Sequence, residues 1–288
     1  MEMTSRTSSV RGAALLAMAC VLQVVHQPAS AGVLEEKVKA GEPIKIGYSI
    51  DPPYAITTPS GEAAGSMNVM AIKILERMGA KVEPVVTEWG GLIPGLQASR
   101  FDVITVGMYI TPNRCQSVLF SEPIGRFGDA LLVLKGNPKG VTSLEQIKNS
   151  TDLKLATISG YAFVGVAAKA GIAESDLMLV QDVPAMLQAL KAGRAHVGGL
   201  SKGAANELLA KTSDFEIVAE YKQDPDTFKY SGYGFRLEDE TFAAAFNAEL
   251  ASYLGSDEML ADVAPYNYDA DTIPSQDSIT TAQICGRQ

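Results

Sequence analysis

Asp51, Tyr54, Trp89, Tyr109 and Arg114 have types and settings that suit the capture of a small charged molecule. Asp51 and Tyr54 flank Pro52-Pro53 just after an apolar run. Trp89, the only tryptophan, stands in the turn Glu88-Trp89-Gly90-Gly91, and Tyr109 follows Gly107-Met108, where the apolar run 101–106 breaks. Arg114 lies in Thr111-Pro112-Asn113-Arg114, which reads as a helix start with Thr111 as N-cap and Pro112 at the first helical position. The helix dipole disfavours a cation there. A ligand carboxylate, held jointly by the guanidinium fork and free backbone N–H groups, would account for it; pairing with a structural Asp or Glu is the alternative. The three rings could form an aromatic box for a delocalised or alkylated cation, at about 0.5–2 kcal/mol per ring. Each sits in a Pro/Gly-rich loop rather than on a periodic face, although rings packed in a core remain the other reading. Asp51 either offers its charge to a cation or an N–H donor, or closes an Asx-type turn before Pro52-Pro53.

The elements that must position these residues alternate along the chain. Strands are expected at 44–48, 81–87, 101–106 and 130–134, with a helix over 68–78 stopped by Gly79. A second series follows: helix 143–148, strand 154–157, helix 162–170, strand 177–180, helix 183–192, strand 197–200, helix 202–210 and strand 215–219. An extended segment 229–235 and helices 240–254 and 258–263 close the chain. Alternation of this kind predicts α/β units around central sheets.

Residues 1–31 read as an export signal. Arg6 and Arg11 form a basic start, 13–25 is apolar but short for a bilayer, and Ala29-Ser30-Ala31 is a small-residue cleavage site that leaves Gly32 as the new start. No later stretch has enough consecutive apolar residues for a span. The formal charge of −9 argues against nucleic acid and anionic membrane surfaces as partners. Beyond the signal there are two cysteines, Cys115 and Cys285. An even pair in an exported protein suggests a disulfide that would tie the C-terminal tail beside Arg114; two buried free thiols are the alternative. His196 stands alone in an apolar run, without a second His or a Cys nearby, and reads as structural. Neither a catalytic constellation nor a metal or cofactor motif is evident.

Three motifs carry a resemblance that covers about 44–266. Trp89 to Gln97 with Asp102 follows W-x-G-L-I-P-x-L-Q-x-x-x-x-D, Gly107 to Arg114 follows G-M-x-I-T-P-x-R, and Phe120 to Pro123 follows F-S-x-P. In this the chain resembles the substrate-binding proteins of polar amino-acid-type ABC importers. The resemblance implies a two-lobe, type II periplasmic-binding-protein-like α/β fold with a two-segment hinge. Lobe one would be 32–134 plus 233–288 and lobe two 135–232, with ligand in the cleft between them. It further implies that Arg114 pairs with a ligand carboxylate, and that a monomer in the periplasm delivers the ligand to a membrane permease with its ATPase.

Departures from the amino-acid binders narrow the resemblance. Tyr109 replaces a usual Ser or Thr. Ser201 stands where an ammonium-binding Asp is usual, so no lobe-two carboxylate is in view. The turn Gly160-Tyr161-Ala162 lacks the usual hydroxyls, with Ala162 where one would be expected. Asp51-Pro-Pro-Tyr54, Trp89, Tyr109, Arg114-Cys115 and the tail cysteine are similar to the ectoine/5-hydroxyectoine-binding proteins. A small zwitterion of that kind is the expected ligand, with Asp51, Tyr54, Trp89, Gly107, Tyr109, Arg114, Ala162 and Ser201 around it. A polar amino-acid or opine receptor is the nearer alternative. A cyclohexadienyl-dehydratase-like enzyme is the more distant one.

Overall fold

The computed structural model describes residues 1–2, 32–222, 229–266, 268, 272–274 and 279–286. The expected export signal, with its cleavage after Ala31, lies outside the described residues apart from its first two.

Two sheets carry the fold. The first is built from β1 (Pro43–Tyr48), β4 (Lys81–Val86), β5 (Val103–Tyr109), β6 (Leu119–Phe120), β7 (Gly125–Phe127) and β13 (Lys229–Phe235). Its order is β4-β1-β5-β13-β6, with β7 also on β13. β1 runs parallel to β4 and β5, while β13 is antiparallel to its partners. The second sheet takes β8 (Asp129–Leu134), β9 (Leu155–Ile158), β10 (Met178–Val180), β11 (Val197–Ser201) and β12 (Phe215–Ile217) in the order β10-β9-β11-β8-β12. A short ribbon pairs β2 (Ile56–Thr57) with β3 (Ala63–Ala64). Strands β8 and β9 are apolar almost throughout and nearly wholly buried, as central strands covered on both faces must be.

The helices form where the sequence supplies both a stripe and a stop. α1 (Val33–Ala40) ends on Gly41, and α2 (Ser66–Arg77) buries Met67, Met70, Ala71, Ile74 and Leu75 before Gly79 turns the chain at φ +81°. α3 (Leu92–Gln97) packs Leu92 and Leu96 inward. In the second sheet's half, α4 (Leu144–Lys148), α6 (Val183–Lys191) and α7 (Lys202–Leu209) are capped by the side chains of Ser143, Asp182 and Ser201, and α5 (Phe163–Lys169) follows Ala162. α8 (Glu240–Tyr253) and α9 (Asp257–Val263) return to the first half, where Phe242, Phe246 and Tyr253 are fully buried with Tyr233 and Phe235 of β13. α10 (Thr281–Ile284) begins with a capping box from Thr280 and Gln283.

Three sequence expectations need correction. The chain passes between sheets at Gly128, between β7 and β8, rather than near 134–137. β8, assigned to lobe one by the 134/135 boundary, is hydrogen-bonded in the second sheet, while Lys229–Gly232 pairs in the first. The Lys-Gly-Asn-Pro punctuation after β8 marks a strand end, whereas the real crossing is a single residue between two extended segments and leaves little compositional trace. Next, Gly107 does not break its strand: β5 continues to Tyr109, with Gly107 at φ +72° and a register shift on the facing β13. Finally, Thr111-Pro112 opens no helix. Thr111 Oγ1 does accept from Arg114 N at 3.3 Å, but only a three-residue 3₁₀ turn, Arg114–Gln116, follows. A helix-dipole argument for Arg114 therefore falls away.

A disulfide joins Cys115 to Cys285 and seats α10 on the first half, where Thr281 Oγ1 also donates to Ser121 O at 2.6 Å. His196 accepts from Lys154 N through Nδ1 at 3.0 Å, a structural role as read. The bridge closes a loop of 170 residues in the unfolded chain. Replacing both cysteines by serine is expected to cost about 2–5 kcal/mol. Thermal unfolding with and without reductant checks this: reductant should lower the midpoint of the native protein and leave that of the double variant unchanged.

Candidate functional site

The loop after β1 is pinned by its own backbone. Asp51 N donates to Ala55 O, and the N–H groups of Tyr54 and Ala55 both donate to Asp51 O. The Asp51 side chain therefore does not hold the turn, and the Asx reading gives way: its Oδ1 is buried with no hydrogen-bond partner. It faces a cavity with about 460 Å³ of empty space, part of it open to solvent, lying between the two sheets. Asp51, Tyr54, Trp89, Gly107, Tyr109, Ala162 and Ser201 all line this cavity.

Each ring is fixed by a neighbour. Tyr54 meets Phe127 edge-on at 5.2 Å between centroids. Its hydroxyl lies against Gly203 of α7, where a Cβ would come within 1.8 Å of it. Tyr109, at the end of β5, lies 6.1 Å from Phe127, and Lys229 Nζ sits 5.7 Å from the Tyr109 ring centre. Trp89 Nε1 donates to Gly160 O at 3.0 Å, and its ring meets Tyr161 edge-on at 4.5 Å. Gly107 must lack a side chain, because a Cβ there would come within 2.8 Å of Met67. Ala162 and Ser201 are brought in as the N-caps of α5 and α7, and the Ser201 hydroxyl accepts from Ala204 N.

Arg114 stands apart from this set. It is not in the cavity wall but at its edge, where Nη1 donates to Tyr109 O and Nη2 to Gly160 O, both at 2.7 Å. No carboxylate among the described residues pairs with it. Burial lowers its pKa to about 10, so it stays charged at neutral pH. A guanidinium carries five donors, and these two bonds leave three for another acceptor.

Six wall residues were not identified from sequence: the apolar Met67, Val106 and Phe163, and Phe127, Tyr161 and Asp129. Tyr161 corrects the expectation of a hydroxyl-free turn, since its hydroxyl lies toward Asp51. Asp129 corrects the expectation that lobe two offers no carboxylate: it enters from β8, two residues after Phe127, and forms a buried ion pair with Lys229 at the start of β13. Phe127 and Asp129 share one face of an extended segment, a period-two signal.

Burial dominates the electrostatics. It pushes Asp51 up to about 7, against a lowering by the Tyr161 hydroxyl. It also raises Tyr54, Tyr109 and Tyr161, which therefore remain protonated. Asp129 is raised by burial and pulled back by Lys229. Among the described residues there is no cluster of His, Cys, Asp and Glu fit to hold a metal, and no helix is long and apolar enough to cross a membrane.

Two α/β halves joined by crossing strands, with a cavity between their sheets, define the two-lobe type II periplasmic-binding-protein fold. Residues 44–265 match the bacterial extracellular solute-binding proteins, family 3, and the chain belongs to that family. It is 32% identical over 280 residues to a probable amino-acid ABC transporter periplasmic-binding protein of Sinorhizobium fredii, covering 94% of this chain and 92% of that one. The crystal structure of EhuB in complex with hydroxyectoine is similar at 32% identity and a TM-score of 0.79, over 88% of this chain and 97% of that one. A cyclohexadienyl dehydratase of Pseudomonas aeruginosa is 26% identical over 190 residues, 66% of this chain and 69% of that one. The chain is thus a solute-binding protein of the kind that delivers a small ligand to an ABC importer, and its relatives are periplasmic.

Asp51 gives this site a pH signature. Its folded pKa, raised from 3.8 to about 7, means that the native protein keeps a proton that the unfolded chain loses near pH 4. The stability this contributes is complete below about pH 4 and is lost as pH rises toward 7. Asp51→Asn should therefore stabilise the ligand-free protein at pH 8 relative to wild type, on the order of 2–4 kcal/mol, and change little at pH 4. Denaturant titrations of both proteins at the two pH values check the sign.

Proposed function

We propose that this protein is a periplasmic receptor of an ABC importer, exported by cleavage after Ala31, and that it captures ectoine, 5-hydroxyectoine or a similar zwitterionic compatible solute. The observation that carries the reading is the joint placement of Tyr54, Trp89 and Tyr109 around one cavity with Asp51, and at its edge of Arg114, with which no carboxylate among the described residues pairs. The rings and Asp51 receive the delocalised cation. The remaining donors of Arg114 take the ligand carboxylate, for which the planar fork is suited. The hydroxyectoine complex of EhuB supports the same ligand class.

Closure follows from where the contacts lie. Tyr54, Trp89, Tyr109 and Arg114 come from the first half, while Tyr161, Ala162 and Ser201 come from the second. A ligand touching both sets favours the closed arrangement, and the hinge at Gly128 with the returning β13 accommodates the motion. The closed monomer then docks on the permease, whose ATPase drives uptake. No chemical step is required of the protein.

A polar amino-acid or opine receptor is the second reading. The Sinorhizobium relative's name supports it, and Asp51 or Asp129 would face the ligand's ammonium group. A dehydratase-like enzyme would have to use Asp51 as its acid or base.

Calorimetric titration of ligand-free protein with ectoine, 5-hydroxyectoine, arginine and glutamine separates these readings. Tight binding of ectoine or its hydroxyl derivative is expected, weakened on the order of 100-fold or more in Arg114→Ala and about 10-fold in Trp89→Ala. Tight binding of arginine or glutamine with ectoine silent would overturn the ligand and keep the receptor. Conversion of the bound compound, followed by NMR, would overturn the receptor.

A further inference from the structure

A box of rings alone would accept a fully alkylated cation as readily as one bearing N–H groups, because cation–π attraction needs only charge and a ring face. This cavity holds more than rings. Among the described residues, seven buried side-chain polar atoms lack a hydrogen-bond partner, and three of them, Asp51 Oδ1, Tyr54 Oη and Tyr109 Oη, belong to its wall. Asp51 and Tyr54 are only 6% and 8% exposed, so bulk water does not satisfy them. Neighbours do not relieve the shortage. Ser201 Oγ comes near Tyr54 Oη without a hydrogen bond between them, and the Tyr161 hydroxyl near Asp51 leaves Oδ1 unpaired. Asp129, the other carboxylate of the wall, is held by Lys229.

A bound molecule that fills the box therefore meets three buried groups that need hydrogen bonds. A carboxylate can only accept, so the ligand must donate to Asp51 when it is ionised; the two phenol groups can donate or accept. A quaternary ammonium offers no N–H and shields its charge with methyl groups, so it would seal all three groups away from water unpaired, the arrangement binding sites reject most strongly.

We propose that the cavity selects cations carrying N–H or O–H donors and excludes fully alkylated ones, with Asp51, Tyr54 and Tyr109 as the specificity-determining residues. This rests on the zwitterion-receptor reading and narrows it: amidinium, guanidinium and primary or secondary ammonium zwitterions fit, whereas betaines do not.

The test uses matched ligands on the mature protein: ectoine and L-proline, each against proline betaine. Whichever N–H ligand binds, its alkylated counterpart should bind at least 10-fold more weakly. Tyr54→Phe and Tyr109→Phe keep the ring and remove the unpaired hydroxyl. They should narrow the gap from both sides, weakening the N–H ligand and strengthening the betaine; thermal melts verify that both variants fold. Equal or tighter binding of the alkylated ligand by wild type overturns the proposal and leaves the receptor reading intact. So does a Tyr→Phe effect that is the same for both ligands. Absence of binding by every zwitterion in the set overturns both.

Discussion

One carbonyl joins the two halves of this protein over the cavity. Gly160 O accepts from Trp89 Nε1 at 3.0 Å and from Arg114 Nη2 at 2.7 Å, so two donors of the first half use both lone pairs of a single acceptor in the second. Arg114 is anchored from behind by the carbonyl of Tyr109, the residue whose ring forms another wall. Across the cavity from Trp89 and Arg114, the contact thus runs through a backbone acceptor rather than an ion pair. It leaves the guanidinium charged, partly buried and without a carboxylate partner among the described residues.

The same economy shapes the cavity. Two apolar sheets can face each other across a gap only where polar groups in the gap are either paired or offered to a ligand. Asp129 is paired, with Lys229, and that ion pair links the first residues of β8 and β13, the strands by which the chain leaves and re-enters the first half. Asp51 is left with an unpaired oxygen, and burial raises its pKa into the neutral range. One carboxylate therefore serves the crossing strands and the other the site.

Support for this arrangement lies further out. The first half closes around β13 and the aromatic faces of α8, while the tail is fastened by the Cys115–Cys285 bridge one residue from Arg114. The 3₁₀ turn that carries Arg114 is too short to hold itself. Its rigidity comes from the bridge, the bond from Arg114 N to Thr111 Oγ1, and the two carbonyls that receive the guanidinium.

Much of this was legible in the sequence, because it depends on local chemistry. Strand and helix alternation followed from period and punctuation, and Gly79 ended its helix where its residue type allows. The loop aromatics, Asp51 and Arg114 stood out as charged or planar groups where no periodic face required them. Sheet membership was not legible: β8 and β13 are apolar extended runs whichever sheet they join, and only pairing across the fold decides it. Nor were Phe127, Tyr161 and Asp129, which read as ordinary strand and turn residues until the two halves meet. The states of the polar groups belong to the same category. Whether an oxygen is paired depends on atoms tens of residues away, so a chain can reveal that Asp51 and Tyr109 are present while only the tertiary structure reveals that their buried oxygens lack partners.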